Sequence, residues 1–412
     1  MSLVALAVAA LAVRLFYVLV IAPSPVGVGG DAGFYHSAAS LIVHGHFLYR
    51  GIFGHAYVTA EHPPLFPLVL SISSLFGGES LLAHRIVGCV LGSLAVVLIA
   101  ELGSRAGGRR AGFIAGAIAA LYPPLVTADG LVMSEPLFVL MSAAALLAAA
   151  RAVRTGRTRD CATLGALVGL ATLTRGEGLL LIPVLAWPAA WLAAPQRRGM
   201  RLLASTAAAV ALVAPWVVRN TVVFGHPSLA ADANTLIAGA NCRDTYYGHD
   251  IGWWSLSCLA RARTRAQLLH GDATTGPAFS YAGDHLGRLP LVAAVRVLRT
   301  FDLFQPLRQG NHERRRRWVD TAGLAFFYPL LLLAALGFRA ARLPRWILLS
   351  PIAMVVIVSA LGWGIGRFRV AADVSLLVLA ACALARSRRR GETVTRGAST
   401  PPLHRSVPQT AR

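Results

Sequence analysis

The sequence predicts an all-α, multi-pass membrane protein with about ten transmembrane helices. Three observations carry this. Of the 412 residues, 56% are hydrophobic and 14% charged, whereas a soluble domain typically carries about 25% charged residues. Apolar runs near the roughly 20 residues needed to cross a bilayer recur along the chain. Arginine supplies every basic residue of a chain with net charge +21, and the arginines gather at the ends of the apolar runs. Such a charge could suit a nucleic-acid binder, but this placement is that of membrane topology, so no nucleic-acid partner is expected.

The expected spans are 3–22, 82–103, 110–126, 134–152, 160–174, 177–194, 201–218, 319–338, 346–362 and 371–386. The first carries no convincing small-residue cleavage site and reads as a retained span. The 160–174 span is short enough to be tilted or partly re-entrant. One set of short loops carries Arg105, Arg109 and Arg110, then Arg151, Arg154, Arg157 and Arg159, then Arg197, Arg198 and Arg201, then Arg339, Arg342 and Arg345. The opposite short loops carry almost none. By the positive-inside bias both termini are expected in the cytoplasm of a cell with this protein in its plasma membrane, with segments 23–81 and 219–318 outside.

This divides the chain into an N-terminal transmembrane module, 1–218, whose outer loop is 23–81. An outer cap spans 219–318, C-terminal helices span 319–386, and a cytoplasmic tail, expected to be disordered, spans 387–412. No internal repeat stands out, which weakens the reading as an inverted-repeat transporter.

The first outer loop is the most informative. It reads Gly29-Gly30-Asp31-Ala32-Gly33-Phe34-Tyr35, then a stretch with Phe34, Ala38, Leu41 and Ile42 on one helical face. That face suits an interfacial helix. Asp31 reads either as a helix N-cap or as a carboxylate fixed at the membrane surface to take a proton. Glu61-His62-Pro63-Pro64-Leu65-Phe66-Pro67 follows. It is a solvated turn or, because the prolines rigidify it, a presented acidic pair.

In this order the motifs resemble the C-type glycosyltransferase superfamily, in its protein O-mannosyltransferase and aminoarabinose-transferase branch. Ser134-Glu135-Pro136-Leu137-Phe138, Leu173-Thr174-Arg175 with Glu177, Pro215-Trp216 through Arg219-Asn220, and Gly366-Arg367-Phe368-Arg369 extend the resemblance over about residues 1–385. It implies transfer of a sugar from a polyprenyl-phosphate donor to a hydroxyl of a lipid, glycan or protein at the outer face. Asp31 and Glu61 are then the catalytic residues, with Asp31 the base. His62 stands where the aminoarabinose branch has a lysine facing the donor phosphate, and Tyr35 completes the first motif; both join the substrate-binding set. No convincing metal-ligand set stands out, although Asp31, Glu61 and His62 could supply one for a divalent ion.

The chemistry asks for a carboxylate near the acceptor hydroxyl and for cations on the leaving phosphate. Arginine suits the second task through bidentate hydrogen bonds. Arg175, Arg219, Arg367 and Arg369 fall at the outer face of this topology. They are donor-binding candidates or interfacial arginines countered by Glu135 or Glu177. A polytopic transporter or lipid flippase is the alternative function. It would place polar residues at mid-membrane, where these spans are mostly Ala, Leu, Val and Gly.

The cap should contain helices rather than an open loop, with 284–304 interfacial. Cys242 and Cys258 are its two cysteines, while Cys89, Cys161 and Cys382 lie in apolar runs. In an external segment the first two are expected to form a disulfide.

Overall fold

The computed structural model describes residues 2–24, 30–47, 49–52, 55–261, 275–309 and 317–397. Among them the chain is helical apart from one antiparallel hairpin, Tyr49–Ile52 (β1) with Val58 opposite Tyr49 on His55–Val58 (β2). That hairpin, in the first long loop, is the departure from the expected all-α pattern.

The membrane module begins with Leu3–Phe16 (α1), extended by a π-turn over Tyr17–Ile21. Two loop helices follow, Asp31–Val43 (α2) and Leu65–Leu75 (α3). Then come Leu81–Gly107 (α4), Arg109–Leu121 (α5), Pro123–Asp129 (α6), Glu135–Thr155 (α7), Thr158–Thr174 (α8), Trp187–Leu192 (α9) and Arg198–Phe224 (α10). The cap comprises Asp232–Ala240 (α11), Arg243–Tyr246 (α12), Leu256–Arg261 (α13), Gly276–Asp284 (α14), Leu289–Thr300 (α15) and Pro306–Gln309 (α16). Arg317–Gly337 (α17), Arg345–Leu361 (α18) and Val370–Gly397 (α19) return to the bundle.

Each expected span has a helix, but fewer than ten are of full length. Among the described residues six are long and apolar enough to cross a membrane, or seven if α5 and α6 are one span bent by 58°. The bend follows from Pro123, because the residue before a proline is driven out of helical geometry and Tyr122 is extended. The 17 residues of α8 and of α18 give about 26 Å at 1.5 Å per residue, short of a 30 Å hydrocarbon core. The stretch Gly176–Leu192 is likewise a shorter apolar element. The tail expected to be disordered from 387 is helical through Gly397, and 398–412 lie outside the described residues.

Alanine and leucine fill the core between α1, α4, α5, α7 and α19. Small residues bring the helices close: on Gly165 of α8 a Cβ would collide with the Ser205 carbonyl of α10, a device common in membrane bundles.

The interior is not purely apolar. Arg14 on α1 is buried and donates to Asp129 of α6 at 2.7 Å. Arg85 on α4, also buried, ties the loop after α1 to the turn after α6 through Ala22 and Gly130 carbonyls, each at 2.7 Å. These corrections to the expected midspan matter because a charge in hydrocarbon must be matched.

In the cap, Cys242 and Cys258 are disulfide-bonded with Cα atoms 5.8 Å apart. The expected interfacial helix is α15, but its inward face carries Arg296 and Arg299 beside Val292 and Val295, all buried. Arg296 donates to the carbonyls of Ala240 (2.6 Å) and Ala360 (3.2 Å), and Arg299 to those of Ile251 (2.6 Å) and His249 (3.0 Å). The cap is thus fastened to the end of α18 by guanidinium groups reaching main-chain oxygens.

Candidate active site

Gly30, at φ +65°, turns the chain into α2 and occupies the N-cap, so Asp31 is the first helical residue and not the cap. A carboxylate there is favoured by the helix dipole. Phe34, Tyr35, Ala38 and Ala39 bury the inward face of α2 against Phe66 and Leu70 of α3. His36 and His84 approach Nδ1 to Nδ1 at 3.0 Å, and His84 Nε2 meets Ser74 Oγ at 3.0 Å. One proton must lie between the two rings, and the chain locks α2 to α3 and α4. Burial pulls the His36 imidazole below its ordinary pKa, which keeps that pair from being doubly charged.

Fixed in this way, Asp31 joins a cluster whose other members come from distant elements. Arg367, in the turn before α19, donates from Nη2 to Asp31 Oδ2 at 2.9 Å and from Nε to Glu135 Oε1 at 2.9 Å. Arg175, after α8, reaches the same Glu135 oxygen from Nη1 at 3.0 Å. It also pairs with Glu177 through Nε. Phe138 and Phe368 lie 5.9 and 5.5 Å from its guanidinium carbon. His62 Nε2 lies 3.6 Å from Asp31 Oδ1, and its ring stacks on Tyr35 at 5.0 Å. Burial would raise the Asp31 carboxyl, but the Arg367 guanidinium and then His62 override it and hold the group well below the usual carboxylate range.

Other expected site residues fall in different places. Tyr35 is buried; its hydroxyl donates to Ser134 Oγ at 3.3 Å, and burial, with Asp31 nearby, pushes its phenol up. It supports His62 from below. Arg219 donates to the Thr59 carbonyl and to Asn220 Oδ1, both at 2.9 Å, and lies over Trp216. It braces the segment that carries Glu61 and His62. The half-buried Glu61 donates its main-chain N–H to Thr59 Oγ1 at 3.0 Å.

Arg369 is not part of the Asp31 cluster. It pairs with Asp302 at 2.6 Å and Asp373 at 3.0 Å beneath the cap, and packs over Phe327 at 3.6 Å. That arrangement is a buried structural network. Glu135 was visible in the sequence only as a possible counter-charge, yet it joins Arg175 to Arg367. The signal for it was Ser134-Glu135-Pro136 opening a span at the same end as the loop motifs.

Asp31 accepts from a guanidinium, and among the described residues Asp31, Glu61 and His62 are not gathered as a close three-ligand group. The one close group there is Cys242, Asp244 and Cys258, whose two sulfurs are bonded to each other.

Residues 61–219 match the family of dolichyl-phosphate-mannose-protein mannosyltransferases. No curated protein matches the chain in sequence. Among solved structures, ArnT from Cupriavidus metallidurans in the apo state is similar at 16% identity and a TM-score of 0.55, over 90% of this chain and 58% of that one. The archaeal oligosaccharyltransferase AglB from Archaeoglobus fulgidus, in complex with an inhibitory peptide and a dolichol-phosphate, is similar at 18% identity and a TM-score of 0.57, over 98% of this chain and 52% of that one. The likeness is one of fold, and the chain spans just over half the length of either structure.

Proposed function

We propose that this chain is a C-type glycosyltransferase of the O-mannosyltransferase- and ArnT-like branch and moves a sugar from a polyprenyl-phosphate donor to an acceptor hydroxyl at the outer membrane face. One observation carries the reading: Asp31, Glu135, Arg175 and Arg367, from four separate elements, meet in a single ion-pair cluster. A polyprenyl-phosphate lipid such as the dolichol-phosphate held by AglB presents the anion that such arginines suit. Its tail remains in the bilayer while the phosphosugar reaches the interface.

In the reaction, the acceptor oxygen bonds to the anomeric carbon and gives its proton to Asp31. The bond from that carbon to the phosphate oxygen breaks, and the lipid leaves as polyprenyl phosphate. Arg175 and Arg367 oppose the charge that builds on the leaving phosphate. The downward shift keeps Asp31 ionised near neutral pH, the form a base must have. The arginine asymmetry between loops supports the outer face for this chemistry.

The test is a panel of polyprenyl-phosphate sugars offered to the chain in liposomes, with release of polyprenyl phosphate as the readout. Donor-dependent release by the wild type, lost in Asp31→Asn, is the expected result. Passage of intact donor between leaflets without release would instead favour a flippase. A cysteine placed at the exposed His226 tests the topology: labelling from the cytoplasmic side alone would overturn it.

A further inference from the structure

The two guanidinium groups of the cluster face more carboxylates than they can neutralise. Arg175 and Arg367 stand against Asp31, Glu135 and Glu177. A phosphate that takes Arg367 Nη2 must displace Asp31, and one that takes its Nε must displace Glu135. Exposure decides which. The Glu135 side chain is 3% exposed and Glu177 19%, while Asp31 is 35% exposed. Asp31 is the most exposed of the three, so its release costs less than that of Glu135, which would leave a buried carboxylate without its two arginines. Glu135 also holds both arginines through the one oxygen Oε1, so freeing it would unpair two cations together.

We infer that Arg367 is handed from Asp31 to the donor phosphate, while Glu135, a positioning residue, keeps hold of its Nε and so aims it. In the donor-free chain Asp31 is occupied by Arg367. When the phosphate takes that arginine's Nη2, the Asp31 oxygen is freed to accept the proton of the acceptor hydroxyl. The base is therefore released by the donor itself, and acceptor activation follows donor binding. No proton or electron moves in the hand-over; one charge-assisted hydrogen bond is exchanged for another. The inference rests on the donor class proposed above.

Its test is the binding of polyprenyl phosphate, the sugar-free lipid, to the full chain in nanodiscs. Asp31→Asn removes the competitor for Arg367. Polyprenyl phosphate should then bind about tenfold more tightly, the size expected when one competing bond to a charged group is lost, even though sugar transfer is lost. A purely structural Asp31 would not improve binding. In an Arg367→Gln background the same Asp31→Asn change should bring no gain. Glu135→Gln should weaken lipid binding and lower kcat/KM for the donor, with a smaller effect on KM for the acceptor. Asp31→Ala, checked for a monodisperse fold, repeats the experiment should Asn retain a bond to Arg367. Unchanged or weaker binding by both Asp31 variants overturns the hand-over, as does a gain that survives loss of Arg367. Failure of the wild type to bind polyprenyl phosphate at all would sink the donor class instead, so the two failures are distinct.

Discussion

Two residues apart in sequence, Arg367 and Arg369 build two clusters from the same chemistry. Arg367 joins Asp31 and Glu135, and Arg369 joins Asp302 and Asp373. Arg367 keeps 25% of its side-chain surface and one partner that solvent can reach, while Arg369 keeps 4%. An ion pair that water can enter can be exchanged for a ligand. One that is sealed under an aromatic ring and a cap can only hold the fold. Arginine and carboxylate are common to both; access divides them.

The largest expected effect tests the open cluster. Asp31→Asn should lower the rate of transfer by about 100- to 10,000-fold, the usual weight of an acid–base group, while the protein stays folded. Near wild-type turnover of Asp31→Asn would remove the distinction between the clusters. Next comes the closed one. Arg369→Gln leaves two carboxylates facing a buried gap and should cost about 3–5 kcal/mol, seen as a lowered Tm of the solubilised protein, whereas Arg367→Gln should shift Tm little. Equal shifts would mean that both arginines are structural.

Reduction of the Cys242–Cys258 bond should destabilise the cap by roughly 3 kcal/mol for a loop of this length. Proteolysis of the cap with and without reductant measures it, and transfer by the intact membrane module should fall less than in Asp31→Asn.

The smallest effect is in the pH profile. Because Asp31 is held well below the ordinary carboxylate range, chiefly by Arg367 acting against burial, kcat/KM for the donor should stay level from about pH 8 to about pH 5 on its account. The stability that its pairing adds is likewise present above the unfolded pKa and lost only as pH falls through the lowered one. Arg367→Gln leaves burial unopposed except by His62, so the acid limb should move to higher pH. A limb that stays in place would separate Asp31 from Arg367.

The loop carboxylate and the fold class were legible because their signals are local: a glycine turn before Asp31, a proline pair after His62, and apolar runs that count themselves. That Arg369 lies outside the Asp31 cluster is not legible in the sequence, because Gly366-Arg367-Phe368-Arg369 presents two like side chains at the start of a helix. What separates them is Asp302, 67 residues away. The Arg14–Asp129 pair was invisible for the same reason, since each is a single charge in an apolar run and they lie 115 residues apart. The length of the spans failed at Pro123, where a proline breaks a run that the apolar pattern continues to 126.

The hydrogen bond between Arg367 and Asp31 spans 336 positions of the chain, and this has a consequence for biogenesis. At ordinary rates of synthesis the aspartate waits on the order of tens of seconds for its arginine. Arg14 likewise enters the bilayer before Asp129 exists, at an insertion cost of about 2.5–3.5 kcal/mol if it lay at the helix centre. The first helix is therefore anchored only when the bent α5–α6 segment arrives. The ion-pair cluster closes only when the turn before α19 is placed. A nascent chain stalled before Arg367 holds Asp31 and Glu135 without that arginine, so the site assembles only after α18 has been made.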